Sequence, residues 1–425
     1  MGKQLDEILQ AHVVTPSETG VKDKLLAAGF VLVDKDGVLY TGTAGRLDFD
    51  PSSPAYTADS ISWLASMTKL VTAVSLLQLI EKVVIGLDDD VRDALPELAA
   101  LPVLREWEDD GAPILEAHGR VITLRHLLTH TLGIGIDMAD PDLLQWSNTT
   151  SRRTNYMSYT LEGIKTPLKF APGEGWYYGT AYDWAGHLLT KLTRTSLSSY
   201  MQAHIFDSLS MTSTTFHPIS VSISTTTSTS TSTSPSPSPS PSPSDTHARH
   251  LAYAYSTTNP KTSSITLHPG PSPSPSPMPS HIAFKAGGSG LFSTPGDFAR
   301  LLHGILSGKL LKPETTELLF TPQLNDAQRG IMIGIAAYAR EMGFAPEFPL
   351  DHSLAGVLNM QDVPGKRRAG SLMWSGATNG RWWIDRETGI AGAVFTQVEP
   401  HGNAIVVDMF DKLERTVYQG QPYRS

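Results

Sequence analysis

Patterning at the two ends of the chain predicts an α/β protein: an antiparallel sheet built from both chain termini, flanked by helices, with a mainly helical region inserted between them. Three observations carry this. Near the start, "GFVLVDKDGVLYTGTAG" alternates apolar and polar residues on either side of Asp36-Gly37, a strong short-range signal for two antiparallel strands over residues 29–44. Near the end, strand patterning returns in "SLMWSGATNG", "RWWIDRETG" and "IAGAVFTQVE". Between them, residues 86–210 read as short helices and loops, among them "TLRHLLTH" and "TAYDWAGHLLTKLTRTS". The simplest closure is one composite unit over residues 1–425 rather than two independent domains.

Within that frame, Leu70, Val74, Leu77 and Ile80 recur at spacings of three and four, the period of one helix face, and predict a helix over residues 64–82 with Gly86 as its stop. Two low-complexity segments, residues 220–245 and 271–280, carry Ser/Thr and Ser-Pro runs that bury no apolar surface and lack backbone donors at each proline. They are expected to be disordered insertions in a surface loop, outside the packed unit.

Composition narrows the function. A formal net charge of -9 disfavours nucleic acid and anionic membrane as partners. With no cysteine, disulfides, thiolate metal sites and a cysteine nucleophile are excluded. The opening "MGKQLDEILQAHVV" places charges where a signal peptide needs an apolar run, and no stretch is long and apolar enough to span a bilayer, so a cytoplasmic protein is expected.

The chemistry centres on "SMTK". Ser66 and Lys69 stand three apart at the entrance of the helix, so their side chains share a face. A lysine amine there can take the serine proton, and the helix N-terminus favours negative charge developing on the oxygen. No other lysine in the chain has a serine three residues before it, and no Gly-x-Ser-x-Gly elbow competes. A solvated lysine beside a helix-start serine is the plain alternative.

In "FAPGEGWYYGTAYDW", the phenols of Tyr177, Tyr178 and Tyr182 crowd one stretch, and one of them close to Ser66 could relay protons; packing at the core or rim is the ordinary alternative. In "MWSGATNGRWW", the small residues Ser375, Gly376 and Ala377 would let a substrate carbonyl approach the backbone. There the Ala377 amide could join that of Ser66 in an oxyanion hole. The competing reading of the same stretch is a hairpin turning at Asn379-Gly380. Two histidines, His126 and His130, are spaced four apart in "HLLTH", as zinc ligands on a helix can be, but the glutamate of a metalloprotease helix is missing and no third ligand is evident. No metal and no cofactor are therefore expected.

Taken in order, "SMTK", "YGT" after "PGEGW", and "WSGATNG" resemble the three motifs of class C β-lactamases and their relatives, the serine esterases and fungal polyketide transesterases of the lovastatin type. "LRHLLTHTLGIG" and "GGSGLFSTPGDFARLL" are similar to further stretches of that superfamily, and the resemblance runs over about residues 25–410 apart from the inserts. It implies a β-lactamase/transpeptidase-like fold with Ser66 as acylated nucleophile, Lys69 as base and Tyr178 as proton relay. It also implies an oxyanion hole from the Ser66 and Ala377 amides, and an edge strand where the hairpin was considered.

Two departures bear on substrate. Trp374 replaces the lysine that binds a carboxylate in β-lactamases, and Thr180 replaces the asparagine of the second motif. Exchanging a cation for an indole removes charge recognition and adds an apolar wall, to which Trp382 or Trp383 could contribute unless they pack in the core. The expected activity is acyl transfer through an acyl-serine, from a small-molecule or carrier-bound donor to an alcohol, with Trp374, Ser375 and Gly376 against the substrate. A carboxylesterase using the same three residues, and a non-catalytic binding protein on the same scaffold, are the alternatives.

Overall fold

A computed structural model describes residues 1–217, 249–270, 284–334 and 344–420. The two low-complexity segments lie outside the described residues. The main sheet has seven strands: β1 (Ala27–Asp34), β2 (Val38–Gly45), β3 (Leu350–His352), β4 (Val357–Asn359), β5 (Leu372–Ser375), β6 (Arg381–Asp385) and β7 (Ile390–Phe395), in the order β2-β1-β7-β6-β5-β4-β3. Every pairing in it is antiparallel, and β1 lies against β7, so the sheet closes by joining the two chain ends. The anticipated hairpin is β1–β2, with a register shift at Leu32/Val33 where the short connection enters.

Helices cover both faces. On one side lie α1 (Gly2–His12) and the terminal α5 (Ala404–Gln419); Trp383 of β6 stacks on Phe30 at 6.0 Å and meets Phe410 of α5 edge-on at 5.6 Å. On the other side α4 (Pro295–Leu306) sets Phe298 against Phe395 of β7 at 5.7 Å. Both Trp382 and Trp383 are fully buried, so the pocket-wall reading for this pair gives way to core packing. Between the chain ends come α2 (Thr68–Glu81), α3 (Ala181–Thr193), several short helices and one small hairpin pairing Val103–Trp107 with Pro113–Glu116. Among the described residues no helix is long and apolar enough to cross a membrane.

Helix α2 is the buried helix that its apolar run suggests. Twelve of its fourteen residues are buried, because the apolar face read from sequence packs on the core while Thr68, Thr72 and Ser75 bond to neighbouring backbone on the remaining sides. It stops earlier than Gly86: the chain leaves the helix after Glu81, with Val83 in the left-handed region at φ 56.

The strand carrying the third motif is anchored from behind. Arg367 meets Glu414 of α5 through two parallel hydrogen bonds of 2.7 Å, and its Nη1 approaches the Met373 sulfur of β5 at 2.8 Å. Both charged groups are buried, so removing Glu414 leaves the Arg367 guanidinium without its carboxylate in a poorly solvating interior. Glu414→Ala is expected to lower unfolding free energy by about 3–5 kcal/mol in a urea titration.

Candidate active site

The turn that carries Ser66 is made by pairing across the chain. Ser62 and Trp63 pair with Ser293 and Phe292, the Leu64 N–H donates to Leu291 O at 2.9 Å, and Leu291 N–H donates to Thr68 Oγ1 at 3.1 Å. From this short ladder the chain turns sharply through Ala65, a non-glycine residue at φ 46, into a single 3₁₀ turn (Ala65–Met67) that runs into α2. Such a conformation costs on the order of 1–3 kcal/mol and is maintained by the surrounding pairings. Its effect is to place Ser66 at the helix entrance, partly exposed, while Lys69 one turn later is 3 % exposed.

Three of the sequence-predicted residues meet here. Ser66 Oγ and Tyr178 Oη share a hydrogen bond of 2.6 Å, in which either hydroxyl can donate, and Lys69 Nζ donates to Ser66 Oγ at 3.1 Å. Lys69 Nζ also stands 4.8 Å from the centre of the Tyr178 ring. The other two tyrosines go elsewhere: Tyr177 donates to the Asp140 carboxylate, and the buried Tyr182 donates to Leu128 O at 2.9 Å and Leu354 O at 2.7 Å. Tyr178 is presented by close backbone contact, since a Cβ on the following Gly179 would lie 2.0 Å from Ile134 O.

The third motif resolves as both a hairpin and part of a broader sheet. β5 turns into β6 through residues 376–380, with Asn379 at φ 66, so the hairpin reading of Asn379-Gly380 holds. The edge strand implied by the resemblance does not: β4 pairs with Leu372 and Met373, and β3 lies beyond it, so β5 is interior over those two residues. The pleat then separates the side chains. Trp374 points to the α2 side, its ring 5.6 Å from that of Tyr178 and stacked on His130 at 6.2 Å, and is only 2 % exposed. Ser375 points the other way and shares a 2.9 Å hydrogen bond with His401 Nε2. Gly376 returns to the turn that carries Ser66; a Cβ there would sit 2.5 Å from Leu64 O and 3.3 Å from Ala65 Cβ. Ala377, partly exposed, packs on a small apolar cluster that includes Ala65, Trp63, Tyr159 and Phe292.

The remaining candidates are accounted for by packing. The five-residue helix Leu124–Leu128 ends before His130, which takes φ 59, so the two histidines of "HLLTH" do not share a helical face. His126 Nδ1 accepts from the Thr123 N–H at 3.2 Å, while His130 is buried among Tyr178, Trp374 and His352. Burial, then the neighbouring His352 and the Lys69 charge, hold His130 well below the usual imidazole range. Among the described residues no group of three or more His, Asp or Glu side chains could hold a metal ion. Thr180 is buried at the residue before α3.

Sequence reasoning missed the other wall of the site. Lys69 Nζ also donates to Gly288 O at 2.9 Å, Thr72 donates to Gly287 O at 2.6 Å, and Trp63 Nε1 donates to Ser289 O at 2.6 Å. Tyr156 Oη completes the set with a 2.7 Å bond to Ser289 Oγ. The paired glycines were the available signal: a Cβ on Gly287 would lie 2.5 Å from Tyr182 O, and one on Gly288 2.9 Å from Asp183 Oδ2. Chemically the arrangement offers a hydroxyl between an amine and a phenol at a helix entrance, with backbone amides beside it and an apolar surround.

The backbone around Gly376 thus fixes the distance between the third motif and the turn that carries Ser66. Gly376→Ala must push the strand end away from Leu64, and is expected both to lower the unfolding midpoint and, if Ser66 is the reacting group, to slow ester cleavage by about 10²-fold, the usual scale for a displacement of roughly 1 Å in a reacting geometry. Stopped-flow measurement of ester cleavage checks this.

A family model described as Beta-lactamase matches residues 8–413. The chain is 30% identical over 370 residues to the lovastatin esterase of Penicillium rubens, covering 85% of this chain and 86% of that protein. It is 28% identical over 442 residues to the monacolin J acid methylbutanoyltransferase of Aspergillus terreus, covering 98% of each. Among solved structures, unliganded simvastatin synthase from Aspergillus terreus superposes with a TM-score of 0.81 at 27% identity, over 98% of both chains.

Proposed function

The chain belongs to the β-lactamase family, and on that premise we propose that it is a serine acyltransferase, moving an acyl group from a thioester or ester donor to an alcohol in polyketide-type secondary metabolism. The observation that carries this reading is the Ser66 hydroxyl held within hydrogen-bond reach of both Lys69 and Tyr178. The whole described chain is read as one catalytic unit, acting without metal or cofactor, in the cytoplasm where activated acyl thioesters are made. Similarity over 98% of the chain to a transferase and over 85% of it to an esterase supports acyl chemistry over the non-catalytic alternative.

In the first half-reaction the Lys69 amine takes the Ser66 proton as Oγ bonds to the donor carbonyl carbon. The carbonyl oxygen gains negative charge, which the Ser66 and Ala377 amides and the positive end of α2 stabilise. Collapse breaks the bond to the leaving sulfur or oxygen, which receives its proton through Tyr178, and the relay is refilled from the Lys69 ammonium. In the second half-reaction the acceptor alcohol gives its proton to the same relay, attacks the acyl carbon, and returns the Ser66 hydroxyl. Trp374 contributes as an apolar support beneath Tyr178, and the small side chains at Ser375 and Gly376 leave the strand backbone open to the substrate carbonyl.

The carboxylesterase reading keeps every step but the last acceptor, and the 30% identity to an esterase favours it specifically. The ratio of transferred to hydrolysed product at a fixed alcohol concentration separates the two; a ratio that stays at zero across a panel of alcohols leaves hydrolysis as the activity.

Incubation with a short acyl thioester is expected to add the acyl mass to the peptide containing Ser66, and Ser66→Ala to abolish both the adduct and turnover. Tyr178→Phe should lower kcat by about 10²–10⁴-fold while leaving the fold intact, the range for loss of a positioned proton donor. Parental turnover in Ser66→Ala would end the proposal.

A further inference from the structure

We infer that Asp183 is a positioning residue for the reaction, acting on Lys69 through the backbone of Gly288. The inference rests on the Ser66–Lys69–Tyr178 reading and adds a fourth group to it. Asp183 lies on α3, is 1 % exposed, and accepts the Gly288 N–H at Oδ1, 2.9 Å away. The carbonyl of the same residue accepts from Lys69 Nζ, also at 2.9 Å. Residue 288 is therefore gripped on one side by a carboxylate and on the other by the catalytic amine.

The grip leaves no slack. A Cβ at position 288 would fall 2.9 Å from Asp183 Oδ2 and 3.1 Å from Oδ1, so only glycine lets the carboxylate lie against the backbone. The flanking carbonyls are tied separately, Gly287 O to Thr72 and Ser289 O to Trp63, so the peptide cannot swing to follow a displaced lysine. With Gly288 O fixed, one Nζ–H of Lys69 is committed to it, which directs the rest of the amine at Ser66 Oγ. A carboxylate acceptor makes the Gly288 N–H bond roughly twice as strong as a neutral acceptor would.

The charge state of Asp183 sets when that stronger bond exists. Burial pushes its carboxyl up to about 6, against the lowering influence of the Lys69 charge and of the Gly288 N–H. The groups facing it are Lys69 from α2 and the phenols of Tyr156 and Tyr159, while the packed segment 286–290 brings only alanine, glycine and serine. Both phenols are pushed above the ordinary range, mainly by burial, and stay protonated through neutral pH. Asp183 is thus an anion above about pH 6 and a neutral acid below it.

The test measures the rate of Ser66 acylation by an activated ester between pH 5 and 9 in the parent, Asp183→Asn, Asp183→Ala, Gly288→Ala and Ser66→Ala, with thermal unfolding of each. Asp183→Asn keeps an oxygen acceptor without the charge, so at pH 8 it should acylate about ten-fold more slowly than the parent, with KM within two-fold. Its profile should lack the parent's fall near pH 6. Asp183→Ala should be about 100-fold slow, and Gly288→Ala, which leaves the carboxylate in place but displaces it, should be slowed to a similar degree. If Asp183→Ala does not fold, Asp183→Asn and Gly288→Ala decide the matter. Parental rates in Asp183→Asn and Gly288→Ala with no acylation in Ser66→Ala would overturn this inference alone; a parental rate in Ser66→Ala would remove the reading beneath it.

Discussion

The site is organised around one constraint: the amine of Lys69 is out of bulk water, and everything it touches must supply what water would have supplied. A buried amine without acceptors leaves polar groups unpaired in a poorly solvating interior, whereas each hydrogen bond it makes to a fixed acceptor returns about 0.5–1.5 kcal/mol. The two acceptors provided are Ser66 Oγ and Gly288 O, separated by more than two hundred residues of chain. The Ser62–Trp63 ladder with Phe292–Ser293, and the bonds from Thr72, Trp63 and Asp183 to residues 287–289, are what bring that distant segment to the lysine. Folding of the helical region onto the sheet and assembly of the site are accordingly one event.

The same constraint explains why the third motif tolerates a tryptophan. A second amine beside Lys69 would need fixed acceptors of its own in this buried setting. Trp374 presents an indole that packs against Tyr178, His130 and His352, and burial pushes His352 down to about 4. The strand end therefore adds bulk without adding charge, and the ring stack fixes the Tyr178 phenol where it meets Ser66. At this motif position the chain thus presents a ring packed on Tyr178 and no charge.

Much of this was legible in the sequence, for identifiable reasons. Residues 29–44 bracket the Asp36-Gly37 turn and the C-terminal strands are short apolar runs between turn residues, so the sheet and its closure through both chain ends could be read, although β1, β6 and β7 are buried on both faces and do not alternate as expected. Ser66 and Lys69 were visible because their spacing is local, and Tyr178 because its motif is. What could not be read was anything set by a partner far along the chain. The interior position of β5 and the separation of Ser375 from Trp374 across the sheet both depend on which segments pack where. Gly287, Gly288 and Asp183 belong to this class, although a lone carboxylate inside the apolar run "AYDWAGHLL" was a usable hint.

Acyl transfer and ester hydrolysis share their first half, so the distinction between them resides in what can reach the acyl carbon afterwards. Water needs only a path and a base; an alcohol needs, in addition, a surface that holds its carbon skeleton long enough to react first. Beside Ala65 and Ala377 the chain gathers Trp63, Tyr159, Tyr253 and Phe292 into an apolar cluster separate from the main core, with Met157 packed against it. Apolar side chains give a hydrated water molecule no hydrogen bonds to replace those it leaves behind, whereas they gain contact with a hydrocarbon alcohol. The cluster lies beside the turn that carries Ser66, but its aromatic members are buried, so an alcohol competing with water there would meet only the partly exposed edge at Met157 and Ala377.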